Sequence, residues 1–394
     1  MREKMLFLSA QIQGLGDDAE GEIRTESLIG ILLERFDIDL LEYCRSQRDS
    51  TLRPDPALRM HTVNQVSRPR KSLMDSLYKL RGKAVHSYAD KDLQAEIRRL
   101  CSLHTYSHVF IAQGVPGDCI DIVSSLLPEA AIITDLQRLE STQSEGKAAG
   151  KRGLSRRYHK LNAALSRRDE RKLLNKTALL LTASEWDALA FKALSFADAG
   201  KVHVVPHFIN LDDYQYSEPA VKENAILLHW NMHTTQGKNE ALTFHKKVYP
   251  LIKAKVSDCK CYIVSSEVHP EVAALAKLDS SVRIIEESGE AYTYIRRVKA
   301  VVTTLREGCG NPLNILEAWA LRTPVVTGQK SAEGIYCEPG RSILLADTTG
   351  EVAEQVVKLL QTPELGSIIA DQAYRTLLKY YEASNIKEKV LSLV

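Results

Sequence analysis

The stretch LREGCGNPLNILEAWALRTPVV, Leu305 to Val326, holds the residues whose types and spacing point most directly to chemistry. A strand-like apolar run empties into Gly308, Gly310, Asn311 and Pro312, and a helical pattern begins there. Asn311 has a side chain suited to capping a helix N-terminus. Pro312 suits the first helical position, where its missing N–H costs nothing. The glycines permit a sharp turn and let a ligand approach main-chain amides closely. A helix N-terminus facing such amides attracts anions, phosphate above all. Glu317, over a turn further in, is placed to accept two hydrogen bonds from a sugar diol, as acidic residues do for ribose in other nucleotide folds. The plain alternatives are a tight turn that binds nothing and an ordinary exposed helix glutamate.

Other spacings carry less. Asp37 and Asp39 have the Asp-x-Asp pattern of metal-dependent transferases, but they fall inside a strand-like run. His229 and His233 lack the glutamate of a zinc-protease helix, and Cys259 and Cys261 alternate in CKCYIV with no second pair to complete a metal site. No metal ion is expected. Seven scattered cysteines, an odd number, suit reduced thiols and a cytoplasmic protein. The apolar patch near the start is too short for a signal peptide. A net charge of +2 argues against a polyanion binder as a whole, although the segment from Lys147 to Lys172 is mostly basic. Such a segment is either a solvated helix face or a patch for an anionic membrane or an acidic acceptor. Without interleaved aromatics it does not read as a nucleic-acid surface.

These residues need elements to hold them. At 394 residues the chain is too long for one ordinary core. KMLFLSA, DIDLLEY, SHVFIAQ, AAIITDL, TALLLTAS and KVHVVPHF are strand-like and alternate with helical patterns. The rhythm restarts after Asp212 with NAILLHW, CKCYIVSS, SVRIIEE, KAVVTTL and TPVVTG. Short apolar strands alternating with helices imply parallel sheets covered on both faces. The chain is therefore expected to form an α/β protein with two Rossmann-like, doubly wound domains, 1–210 and 211–372. A helical tail over 373–394 is free to pack back on the first. Ligands of such sheets sit at the carboxyl ends of the strands, so a crevice between the domains is the expected site.

The glycine-rich stretch, with the helix-like and strand-like segments after it, resembles the donor-binding segment of retaining glycosyltransferases of family 4, the group 1 glycosyltransferases, which have the GT-B fold. Leu305, Arg306, Gly308, Gly310, Leu313, Ile315, Leu316, Glu317, Ala318, Ala320, Pro324 to Val326 and Ala332 to Gly334 carry the likeness in register. Gly21, Ile23, Arg24 and Thr25, and the segments IITDLQRLES, LLLTASEWDAL and VHVVPHFINLDDY, extend it more loosely over the rest of the chain.

The resemblance implies a metal-independent transfer, with retention, from a UDP- or GDP-sugar to a cell-surface glycan or lipid-linked acceptor. No further cofactor is implied. The first domain would take the acceptor, through Asp135 and Gln137, with Arg24 reaching the donor. The second would bind the donor, with Glu317 on the ribose and Arg306, Gly308, Gly310, Asn311, Asn314 and Lys238 around the diphosphate. Pro312 and Asn314 stand where the resembling branch carries cations, Gln137 replaces a histidine, and Arg322 replaces a glycine. The alternative is a non-catalytic GT-B subunit that keeps the helix N-terminus without those cations.

Overall fold

A computed structural model describes residues 2–10, 19–44, 54–64, 91–112, 115, 117–136, 139–215, 220–230, 232, 235–265, 268–286, 289–303 and 312–394. The chain divides into two compact units, Met1–Val205 with Lys389–Val394, and Pro206–Glu388.

Among the described residues of the first unit seven strands form one parallel sheet: β1 (Glu3–Ala10), β2 (Phe36–Cys44), β3 (Leu58–Asn64), β4 (His108–Ile111), β5 (Ala131–Asp135), β6 (Leu179–Thr182) and β7 (Val202–Val204). Their order is β3-β2-β1-β4-β5-β6-β7. Met5, Leu6, Phe7 and Leu8 are consecutive and all buried, which requires cover on both faces of β1. Strand β3 was not among the expected strands. It is the outer neighbour of β2, and its sequence LRMHTVN has no fully buried side chain, so the apolar run that marks the other strands is missing. Asp39, placed inside a strand by its sequence, lies in β2, buried, and accepts a hydrogen bond from Tyr106 Oη at 2.7 Å.

Among the described residues of the second unit six strands form another parallel sheet: β8 (Glu223–His229), β9 (Lys260–Ser265), β10 (Val282–Glu286), β11 (Val298–Val302), β12 (Val325–Thr327) and β13 (Leu344–Leu345). The order is β10-β9-β8-β11-β12-β13. Numbered within its own sheet, this repeats the pattern of the first six strands of the other unit. The order reverses between β1 and β4 in one sheet and between β8 and β11 in the other, which are the switch points where doubly wound sheets bind ligands. Cys261 lies in β9 and Cys259 just before it; both join one buried cluster, and burial pushes the Cys259 thiol up to about 12.

The break expected at 372 falls inside the helix Pro363–Tyr380, whose Ala373 and Leu377 join the buried cluster around Trp319. Ile209 and Tyr381 are joined by a main-chain hydrogen bond of 3.1 Å, which ties the start of the second unit to the end of that helix. At the chain end, Arg35 Nη1 donates to the Leu391 and Val394 carbonyls. Arg322, in the turn before β12, adopts a φ of 51°, a conformation that favours glycine. Its guanidinium stacks 3.9 Å from the Tyr374 ring centroid and pairs with Asp371 at 2.7 Å, contacts that offset part of the backbone cost. Among the described residues no helix is long and apolar enough to cross a membrane.

Candidate functional site

The helix Pro312–Ala320 begins at Pro312, the position its sequence favours. It lies over the carboxyl end of β8: Asn314, buried, donates through Nδ2 to the His229 carbonyl at 3.0 Å. That carbonyl is at the strand's last residue, so Asn314 docks the helix onto the switch point of the second sheet. A lysine in its place would have to bury its charge, so the departure from the resembling branch serves local packing. Beside it, Thr303 and Thr327, both buried, join through their hydroxyls at 2.6 Å where β11 and β12 end.

Glu317 faces Tyr214, Tyr292 and His229, brought from distant parts of the unit. Tyr214, in the short helix Leu211–Tyr214, donates to Glu317 Oε1 at 3.1 Å. Tyr292, in the helix Gly289–Arg297, donates to the same oxygen at 3.0 Å. The two rings lie 5.0 Å apart, and burial together with the Glu317 charge holds the Tyr214 phenol far above its ordinary range. Glu317 Oε2 is 4.0 Å from His229 Nδ1. One carboxylate oxygen is thus clamped by two phenols, while the other is turned toward the strand end. The side chain keeps 17% of its surface exposed, enough for a small hydroxyl to reach it. Hydrogen bonds to a charged acceptor contribute about 1.5–3 kcal/mol each, so the clamp fixes the carboxylate firmly.

Trp230, directly after β8, donates its buried indole N–H to the Gly237 carbonyl at 3.1 Å. Lys238 comes next in the chain, and its amine pairs with Glu271 at 2.8 Å. Its charge is directed at a neighbouring helix rather than held in reserve.

In the first unit the structure brings Arg24 and Asp135 together. Arg24, in the helix Ala19–Leu32, meets Asp135, the last residue of β5. Arg24 Nη2 donates to Oδ1 at 2.7 Å and Nε to Oδ2 at 2.9 Å. The side chains are 0% and 1% exposed. An arginine expected to reach a donor and an aspartate expected to face an acceptor are each other's partners, buried across the carboxyl end of the sheet. Gln137, Arg306, Gly308, Gly310, Asn311 and His233 lie outside the described residues. No group of three or more His, Cys, Asp or Glu side chains that could hold a metal ion occurs among the described residues.

Tyr214 and Tyr292 were not singled out in the sequence. They lie 103 and 25 residues from Glu317, and neither belongs to a pattern that announces the contact.

Residues 226–362 match the family model of the group 1 glycosyl transferases. No curated protein matches the chain in sequence. Among solved structures, Anabaena HepE in complex with UDP and glucose superposes with a TM-score of 0.64 at 13% identity, covering 99% of each chain. A TarM variant from S. aureus, in complex with fondaparinux, alpha-GlcNAc-glycerol and UDP, gives 0.65 at 12% identity, covering 100% of this chain and 99% of that one. WaaG, a glycosyltransferase involved in lipopolysaccharide biosynthesis, gives 0.63 at 13%, covering 98% of each. The second unit thus carries a group 1 glycosyl transferase domain, in a chain with the two Rossmann-like domains of the GT-B glycosyltransferases.

Proposed function

We propose that the protein transfers a sugar from a nucleoside-diphosphate sugar, UDP- or GDP-linked, to a cell-surface glycan or lipid-linked acceptor, with retention and without a metal ion. The observation that carries this reading is Glu317: a carboxylate clamped by Tyr214 and Tyr292, over the strand end at the switch point, in the domain that matches the family model. A ribose diol donating to it would gain charge-assisted hydrogen bonds without first having to order the carboxylate. The diphosphate would lie at the N-terminus of the helix Pro312–Ala320, whose dipole favours negative charge and so stabilises the leaving group. Gly308, Gly310, Asn311 and Arg306 precede that terminus in sequence and would complete the cradle. The Arg24–Asp135 pair would act on the acceptor side as a fixed support for the end of β5, with Gln137 just beyond it in sequence.

A second reading, a binding subunit without catalysis, is favoured by the commitments of Asn314 to a main-chain carbonyl and of Lys238 to Glu271. Both would have to be compensated for a leaving diphosphate to be stabilised. A panel of UDP- and GDP-sugars separates the two: release of nucleoside diphosphate above the buffer rate, abolished by Glu317→Ala in a folded variant, supports transfer. Binding of a nucleotide with no turnover of any sugar supports the second reading.

A further inference from the structure

The basic segment forms the end of a helical hairpin in the first unit. The helices Glu140–Ala149 and Gly153–Lys176 lie against each other, held by Glu170, which accepts from Ser141 N at 2.9 Å and Ser141 Oγ at 2.6 Å. Asn162 Nδ2 adds a bond to Ser144 Oγ at 2.8 Å, and Arg167 pairs with Glu145 at 2.7 Å. Further along, Lys172 and Lys176 both pair with Asp121. That half of the long helix is anchored. Toward the hairpin turn, before Asn162, every residue from Lys151 to Tyr158 is exposed.

Two features coincide on this exposed end. Leu154, Tyr158 and Leu161 are 82%, 45% and 51% exposed. Their spacing places them on one stripe, and at about 100° per residue that stripe faces away from the buried Ala163, Ser166 and Glu170. At about 100° per residue Arg157 flanks this stripe, while Arg156 and Lys160 lie further round the helix; with Lys147, Lys151 and Arg152 near the hairpin turn, all exposed, they make a basic run with no acidic residue in the sequence between Lys147 and Lys160. A solvated helix face accounts for the cations but leaves the leucines in water. A soluble acidic polymer likewise needs the charges and not the apolar stripe. A bilayer surface uses both, because apolar side chains enter the headgroup boundary while cations meet lipid phosphates.

We propose that this hairpin end docks the protein on an anionic lipid surface, with Leu154, Tyr158 and Leu161 as the inserted stripe. The inference is independent of the sugar-transfer reading and stands or falls without it. The test is flotation of the full chain with phosphatidylcholine vesicles containing about one third phosphatidylglycerol, a content that gives the negative surface potential such a patch reads. Binding is expected at low salt, with little to pure phosphatidylcholine and a steep fall at high salt, where charges are screened within a few ångströms. Leu154→Ser/Leu161→Ser, both at exposed positions, should weaken vesicle binding by about tenfold or more through lost apolar burial. The same variant should bind heparin as the wild type does. Absence of flotation at low salt overturns the proposal. So does a leucine variant that floats like the wild type, which would leave a polyanion patch with no lipid-inserting stripe.

Discussion

The Arg24–Asp135 pair offers a sharp quantitative test of the first unit. Its geometry is bidentate, at 2.7 and 2.9 Å, with both side chains essentially without exposure. Removing one partner strands the other charge in a low-dielectric interior. Such breaks cost about 3–5 kcal/mol, whereas replacing both members with apolar groups of similar volume is often neutral. Arg24→Met and Asp135→Leu, taken singly, should each lower stability by that amount. For a unit of this size the corresponding fall in Tm is roughly 6–20 °C, at about 2–4 °C per kcal/mol. The double variant Arg24→Met/Asp135→Leu should recover most of the loss, giving a coupling of several kcal/mol in a double-mutant cycle. Urea unfolding of the four proteins, monitored by far-UV circular dichroism, measures it. Single losses under about 1 kcal/mol, the range of exposed pairs, would refute the reasoning. A double variant that costs the sum of the two singles would refute it too.

Tyr292→Phe removes one clamp on Glu317 and should weaken nucleoside-diphosphate binding by roughly tenfold while the fold survives, read by titration calorimetry; wild-type affinity would show that the clamp does not position the carboxylate. Lys222 turns its amine inward to the Val298 carbonyl at 2.9 Å and Thr323 Oγ1 at 2.8 Å, and burial lowers it to about 7. The unfolded chain keeps that proton up to a pKa of about 10.4, so it binds more protons than the native state in between, and this group's contribution to stability rises with pH from about 7 toward 10. Because Lys222 as a residue is exposed although its amine is bonded inward, the slope should stay below the one-proton limit of about 1.4 kcal/mol per pH unit. Urea unfolding of Lys222→Met at pH 7, 8 and 9 should lack this upward term, and curves parallel to the wild type would contradict it.

Most of the architecture was legible because its strands are buried on both faces and so appear as unbroken apolar runs, Met5 to Leu8 and Ala225 to Leu228 among them. Strand β3 was not, because an outer strand with half its side chains in solvent need not be apolar. The site divided in the same way. Pro312 and Glu317 stood out because helix starts and acidic positions are local features. The tyrosine clamp and the Arg24–Asp135 pair depend on contacts between distant segments; Arg24 and Asp135 were each singled out, but 111 residues of separation hid that they meet. Arg322 is a related case. A left-handed turn usually asks for glycine, and only the Tyr374 ring and Asp371 show what an arginine gains there.

The central claim is that Glu317 receives the ribose of a nucleoside diphosphate. Thermal unfolding with UDP and with GDP, for the wild type and for Glu317→Gln, tests it most directly. A ligand at a hundred times its Kd adds about 2.7 kcal/mol to the native state, so at least one nucleotide should raise the wild-type Tm by several degrees at millimolar concentration. The gain should shrink sharply in Glu317→Gln, and likewise when the 2′-deoxy form of the same nucleotide is used with the wild type. No shift with either nucleotide, or an equal shift in both proteins, would contradict the account.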